Sequence, residues 1–279
     1  MKLYIRSPLE ISHYKFISEK ITRGVRLAVL ADLHNCMCED GGRHLFEVID
    51  SEHPDIIIIA GDMVDGGNIT TPAPAMKLVK LLHDNYPVIY GMGNHERKIF
   101  VGEKMGWSRK VLKEGLKEAD LKILSDSYKI LKDTGIKVSC LDLSIDYFGR
   151  VSNPTLDESQ IREKLGELDE NYYNIMIAHD PQYFEAYSDY GSDLVLSGHM
   201  HGGIIRFPFL GGFISPKLKL FPKYDAGLFK RKNSNMIISK GLGTHTIHVR
   251  VNNPTELVIV DLDKNNAPMD CEVDKDKGI

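Results

Sequence analysis

Cysteine is scarce in this chain: Cys36, Cys38, Cys140 and Cys271 are four among 279 residues. So few cannot form a disulfide scaffold at this length, and the expectation is free thiols in a reducing compartment. Long apolar runs are missing too. The longest purely aliphatic stretch, Ile56 to Ala60, falls far short of the ~18–20 residues that a membrane span needs. Charges interrupt Met1 to Lys20 throughout, so no secretory leader is read there. There is no excess of positive charge either. Lys+Arg number 35 against 39 Asp+Glu, a formal net charge of −4, which speaks against a nucleic-acid partner needing a basic face. No internal repeat, low-complexity tract or linker divides the chain. These absences leave a cytoplasmic globular protein, with peripheral contact at the inner membrane face still open and the oligomeric state unspecified. A chain of this length buries roughly three quarters of the surface its unfolded form exposes, so the core needs no staples.

What is present is a series of short apolar runs with the length of buried strands: Leu27–Ala31, Ile56–Ala60, Val88–Tyr90, Ile175–Ala178 and Leu194–Leu196. Such runs suit a sheet covered on both faces. Helical periods lie between the first three, at His44–Glu52 and Pro74–His83, which gives a βαβ alternation and predicts parallel pairing. Further helices are read at Ser108–Ala119 and from Asp157 to Leu168, and strands at Tyr128–Leu131 and Lys137–Leu141. Beyond Gly198 the texture turns to glycine, proline and aromatics, then to expected antiparallel strands at Tyr224–Lys230, Met236–Ser239, Thr246–Val251 and Leu257–Asp261. The fold class is α/β, one domain over residues 1–264 with a polar, frayed tail over 265–279.

The chemistry sits where the apolar runs stop. They end in Asp32-Leu33-His34, in Gly61-Asp62 with Asp65 three residues on, in Gly93-Asn94-His95-Glu96, in His179-Asp180 and in Gly198-His199-Met200-His201. Ligands of open α/β sheets bind outside the carboxyl ends of strands. If the strands are neighbours, these side chains meet on one rim. Taken alone, an Asp-x-His or Gly-Asp after a strand is a helix cap or a turn. All five in succession are hard to obtain by accident. Carboxylates, an amide and imidazoles without sulfur suit borderline divalent ions such as Mn²⁺, Fe or Zn²⁺. Seven candidate ligands exceed one catalytic zinc site and match two metals sharing a bridging carboxylate.

This motif set, from Asp32-x-His34 to Gly198-His199-x-His201, resembles the calcineurin-like metallophosphoesterases, from about Val25 to Leu262. It is similar above all to their bacterial YkuE/YaeI-type phosphodiesterase branch, which includes a type of UDP-2,3-diacylglucosamine hydrolase. That similarity rests on Gly198-His199-Met200-His201-Gly202-Gly203, Arg206-Phe207-Pro208 and Ser239-Lys240-Gly241-Leu242-Gly243-Thr244. The resemblance implies a β-sandwich flanked by helices. It also implies Asp32, His34 and His201 on one metal, Asn94, His179 and His199 on the other, and Asp62 bridging both. His95 would protonate the leaving oxygen or stabilise the transferring phosphoryl group, with Asp65 orienting it.

The chain departs from its relatives in two respects. Phosphoprotein phosphatases of the superfamily carry an arginine where Gly66 stands, and a dianionic monoester is the natural partner of such a guanidinium. Near relatives read Asn-His-Asp and Gly-His-Thr-His-Gly-Gly-Gln, whereas this chain has Glu96, Met200 and Ile204, none of them an expected ligand. The resulting expectation is a phosphodiesterase with two divalent ions per chain, manganese first and iron or zinc as alternatives. Its metal-bridging hydroxide would hydrolyse a phosphodiester or pyrophosphate-type bond of a small, lipid-linked or nucleotide-sugar substrate. A monoesterase for nucleotides or small phosphates is the second reading, and a non-catalytic metal-binding scaffold the third. The apolar stretch after His201, with Arg206, Phe207, Phe209 and Phe213, reads either as a hairpin folded into the core or as a substrate-binding wall for an acyl group. Cys36-Met37-Cys38 lacks the further sulfur ligands of a third metal site, and His44, His53, His83, His245 and His248 are read as exposed or satisfied.

Overall fold

Runs that are apolar at every position need cover on both faces, and the fold supplies it. The structure, a computed structural model, describes residues 8–36, 40–67, 71–149, 154–203, 206–207, 211–212, 222–244 and 250–265. In chain order the first half holds β1 (Leu9–Ser18), β2 (Val25–Leu30), α1 (Arg43–Ser51), β3 (Ile56–Ile59), α2 (Ala73–Asn85), β4 (Val88–Gly91), α3 (Asn94–Val101), α4 (Gly106–Glu118) and β5 (Ile123–Leu124). There follow β6 (Ser127–Leu131), β7 (Ile136–Cys140), α5 (Glu158–Leu165), β8 (Tyr173–Ile177), α6 (Phe184–Tyr190), β9 (Leu194–Ser197), β10 (Arg206–Phe207) and β11 (Gly211–Gly212). The described strands end with β12 (Gly227–Arg231), β13 (Ser234–Ile238) and β14 (Thr255–Lys264).

Two six-stranded sheets form, in the orders β1-β14-β2-β3-β4-β5 and β12-β13-β9-β8-β7-β6. Alternate side chains of β2 divide the core. Leu27 and Val29 join Ile58, Val138, Ile175, Ile177 and Leu196 in a cluster between the sheets. Ala28 and Leu30 instead face Leu45, Ile49, Met76, Val79 and Leu112 of α1, α2 and α4. On the far side Met176, Val195 and Met236 pack against Ile161, Phe184 and Tyr187 of α5 and α6. The layers are therefore helix, sheet, sheet, helix, the α/β sandwich expected.

Strands β2, β3 and β4 pair in parallel, Leu27 opposite Ile56 and Ile57 opposite Val88, as the βαβ reading requires. Other expectations need correction. The five strands that carry the motifs do not share one sheet: β2, β3 and β4 lie in the first, β8 and β9 in the second. The C-terminal strands are not uniformly antiparallel, since β13 runs parallel to β9 and β14 parallel to β1. The helix expected to reach Leu168 stops at Leu165, because Gly166 takes a left-handed φ of 77° that ends the helical hydrogen bonding. Strand β1 was not anticipated: it is an edge strand with no fully buried residue, and its apolar residues change face, Leu9 and Ile11 packing on the helix side and Tyr14 and Phe16 between the sheets. Of the strand expected at Thr246–Val251, positions 246–249 lie outside the described residues, as do 266–279 of the tail.

Candidate metal centre

The carboxyl ends of β2, β3, β4, β8 and β9 meet at one rim, and turns in unusual conformations aim the side chains there. The φ angles are 54° at Asp32, 50° at His34, 55° at Asp62, 68° at His199 and 52° at His201. A non-glycine residue held in this left-handed region costs roughly 1–3 kcal/mol, and such strain gathers at functional sites. Five of the seven predicted ligands carry it. Cross-loop bonds hold the turns: Asp32 N donates to Gly61 O at 3.1 Å, His34 N to Asp62 O at 3.1 Å and Gly198 N to His179 O at 3.1 Å. The two sheets are tied where His199 N donates to Asp32 Oδ2 at 2.9 Å and His179 Nδ1 meets Ala60 O at 2.7 Å. Glycine is required at position 93, where a Cβ would come within 2.2 Å of Asp62 Oδ1.

Among the described residues three groups of donors bring ligand atoms within 4.8 Å of one another: Asp32, His34 and His201; Asp62, His179 and His199; and His34, Asp65 and His95, which shares His34 with the first. Asp62 faces the first two. Its Oδ2 lies 2.9 Å from His179 Nε2 and 3.9 Å from His34 Nε2, while Oδ1 accepts from His95 N at 2.8 Å. Asp32 Oδ1 stands 3.6 Å from His34 Nε2 and 3.7 Å from His201 Nε2. Asn94 is 2% exposed, and its Oδ1 accepts no hydrogen bond from the described residues. A buried acceptor left so is costly unless a cation takes it. Buried nitrogen and oxygen donors around an orphaned amide oxygen fit divalent cations.

Charge is tightly coupled across the rim. Burial works to raise the carboxyl pKa of Asp32, yet His201, His34 and His179 hold it below its ordinary value. Burial opposes likewise at Asp62, where His179, His95 and His34 keep the group well below the carboxylate range. Both carboxylates are thus held charged and available to a cation. His179 is pushed up to about 10, burial opposing and Asp62 prevailing.

His95 and Asp65 stand at the edge of the same cluster. His95 Nδ1 lies 3.0 Å from Asp65 Oδ1 and 2.8 Å from Gly66 N. One ring nitrogen cannot donate to the carboxylate and accept from the amide together. Asp65 is lowered to about 2, against burial, by its hydrogen bond to His95, so the carboxylate is charged and Nδ1–H donates to it. Nε2 then faces the metal rim, 4.0 Å from Asp62 Oδ2. Burial lowers the imidazole pKa of His95, which outweighs the pull of Asp62 and Asp65.

Sequence reasoning passed over Glu96. Its buried carboxylate accepts from Tyr90 Oη at 2.7 Å, Asp62 N at 2.8 Å, Gly93 N at 3.2 Å and Val64 N at 3.3 Å. Burial, aided by Asp62, pushes its carboxyl up to about 7 against these donors. Glu96 therefore locks the turn of Asp62 to the start of α3. Glu96→Ala strands four donors at about 1–3 kcal/mol for each left buried. The expected result is a markedly lower Tm in thermal denaturation together with weaker activity, and an unchanged Tm would contradict this role. Asp180 was also missed. It is buried, with Oδ2 3.7 Å from His199 Nε2, and the Phe148 ring packs edge-on against His199 at 5.4 Å.

The expected substrate wall is only partly described. Arg206 pairs with Asp225 at 3.0 Å and donates to Gly202 O at 3.2 Å, while Arg206–Phe207 pairs with Gly211–Gly212. Phe209 and Phe213 lie outside the described residues, as do Cys38, His245 and His248. His83, expected on the surface, is half-buried within α2.

The chain has relatives along most of its length. An uncharacterized metallophosphoesterase of Aquifex aeolicus is 27% identical over 262 residues, covering 90% of this chain and 91% of that protein. The uncharacterized metallophosphoesterase YkuE of Bacillus subtilis is 24% identical over 220 residues, covering 78% of this chain and 71% of its own. The phosphodiesterase YaeI of Escherichia coli is 23% identical over 211 residues, covering 76% and 71%. The family profile described as calcineurin-like phosphoesterase matches residues 25–203, a span that runs through every strand-end motif from Asp32 to His201. With that match over more than half its length, the chain belongs to the calcineurin-like phosphoesterase family.

Proposed function

We propose that this metallophosphoesterase is a dinuclear phosphodiesterase, with Asp32, His34 and His201 holding one divalent ion, Asn94, His179 and His199 the other, and Asp62 shared. The observation that carries this reading is the place of Asp62, whose Oδ2 faces His179 at 2.9 Å on one side and His34 at 3.9 Å on the other. Two divalent ions, when bound, supply a water of lowered pKa and neutralise charge on the phosphoryl oxygens. The mixed nitrogen and oxygen donors favour manganese, with iron and zinc as alternatives. His95, held by Asp65 through Nδ1, presents Nε2 to the rim, and in its imidazolium form, which burial disfavours and Asp62 and Asp65 favour, it gives the Nε2 proton to the departing oxygen.

The diester preference is supported at Gly66. A Cβ there would meet His95 O at 2.5 Å, so this turn has no room for the guanidinium that grips a dianionic monoester in phosphoprotein phosphatases. The likeness to a protein named phosphodiesterase agrees. The reading extends to diesters carrying an apolar group, lipid-linked or nucleotide-sugar phosphates among them, on the apolar residues that follow His201 in the sequence. Assays of the manganese-loaded protein on a chromogenic diester and the matching monoester test the proposal. A higher kcat/KM for the diester is expected. Preference for the monoester at equal metal loading would overturn the substrate class.

A further inference from the structure

The segment from Arg250 to Glu256 lies beyond the family match, yet it hydrogen-bonds the backbone of the His201 loop and of the turn behind Asp32. Arg250 is half-buried and has no carboxylate ion pair among the described residues. Its guanidinium is given instead to main-chain carbonyls: Nε donates to Gly243 O at 3.2 Å, Nη1 to Pro254 O at 3.4 Å, and Nη2 to Lys240 O at 2.7 Å, Gly241 O at 3.3 Å and Gly243 O. Glu256 grips the same turn, accepting from Lys240 N at 2.8 Å and from Ser12 Oγ at 2.6 Å.

That turn is the backing of Asp32. Leu242 N donates to Ala31 O at 3.0 Å and Gly243 N to Asp32 O at 2.7 Å. The approach is so close that a Cβ at Gly241 would lie 2.7 Å from Asp32 Cβ, and one at Gly243 would lie 2.1 Å from Leu33 O. Asn253, 2% exposed, holds the opposite ligand loop, its Nδ2 donating to His201 O and to Gly203 O, each at 2.6 Å. A planar guanidinium and a fixed amide are suited to carbonyl clusters of this kind. The segment thus holds the His201 main chain directly and that of Asp32 through the Lys240–Gly243 turn. Among the described residues it makes no such bond to the turns of Asp62, Asn94 or His179, and of the second group only His199, two positions before His201, shares a loop that it holds.

We propose that Arg250 and Asn253 are positioning residues for a single metal, the one assigned to Asp32, His34 and His201, and set its affinity separately from that of its neighbour. The inference rests on the two-metal reading above. Groups that orient ligands from behind change metal affinity by about 10–100-fold. Titration of metal-free protein with Mn²⁺ by calorimetry, with metal counts after equilibrium dialysis, gives the test. The wild-type chain should bind two ions. Arg250→Lys and Asn253→Leu should each bind one ion as the wild type does and the second about 10–100-fold more weakly. The ion weakened should be the one lost in His201→Ala, so adding Arg250→Lys to His201→Ala should leave the remaining affinity unchanged. A wild-type chain that binds one ion would overturn the two-metal reading itself. Two ions in the wild type, with both weakened equally or neither changed in the variants, would overturn the inference alone. Melting followed by circular dichroism separates fold from site: unfolding of both metal-free variants would assign the segment to general stability and likewise overturn the inference.

Discussion

Asp62→Asn is expected to leave the protein with at most one firmly held ion and almost none of its activity. The substituted atom is Oδ2 or its partner in a carboxylate that faces imidazoles of both proposed ligand sets, 2.9 Å from His179 Nε2 and 3.9 Å from His34 Nε2. An amide has no net charge to share between two dications, and its NH₂ repels any cation it faces. Metal stabilisation of transition-state charge amounts to several kcal/mol, so kcat should fall by about 10³-fold or more. The fold should survive. Asparagine has the same size and tolerates the left-handed φ of 55° that Asp62 adopts, so Tm should change little. Metal counts on the purified variant, beside its kcat, check the expectation. Two ions per chain with near-normal turnover would show that Asp62 is not shared.

His95→Asn should behave differently: both ions stay, and kcat drops by roughly 10²–10⁴-fold, the range for loss of a general acid. The ring stands beside the two proposed ligand sets rather than between them, with Nε2 4.0 Å from Asp62 Oδ2. Its backbone N–H to Asp62 Oδ1, 2.8 Å, is kept in the variant, so the bridging carboxylate remains anchored. The loss should shrink for substrates whose leaving group is a stable anion and needs no proton. A series of aryl diesters of graded leaving-group pKa measures this. A loss equal across the series would mean that the imidazole stabilises the phosphoryl group instead of protonating the leaving oxygen. Asp65→Asn should resemble His95→Asn in kind and be milder, because Asp65 acts through the 3.0 Å contact to Nδ1.

The rim was legible in the sequence because each of its residues closes an apolar run, and a run buried on both faces is recognisable from composition alone. Asp32, Asp62, Asn94, His179 and His199 could be placed at strand ends before any pairing was known. The division of those strands between two sheets could not be read, since β3 and β8 are both almost wholly buried and their partners are set by long-range packing. Glu96 was visible as a departure from relatives but not as the anchor of Asp62, because what it binds is mostly backbone N–H. Arg250 and Asn253 escaped for the same reason. They hold carbonyl oxygens of residues far away in sequence or across a turn, and a carbonyl leaves no mark on the identity of the residue that owns it. Edge strand β1 was hidden because its apolar residues switch faces between Ile11 and Tyr14, which breaks the period of two.

Anomalous diffraction from crystals soaked in Mn²⁺ tests the shared centre most directly. The expected map has two peaks roughly 3.5–4 Å apart, the spacing of paired catalytic ions. One should lie against Asp32, His34 and His201, the other against Asn94, His179 and His199, with an oxygen of Asp62 reaching each. A single peak, or two peaks of which only one touches Asp62, would contradict the dinuclear centre.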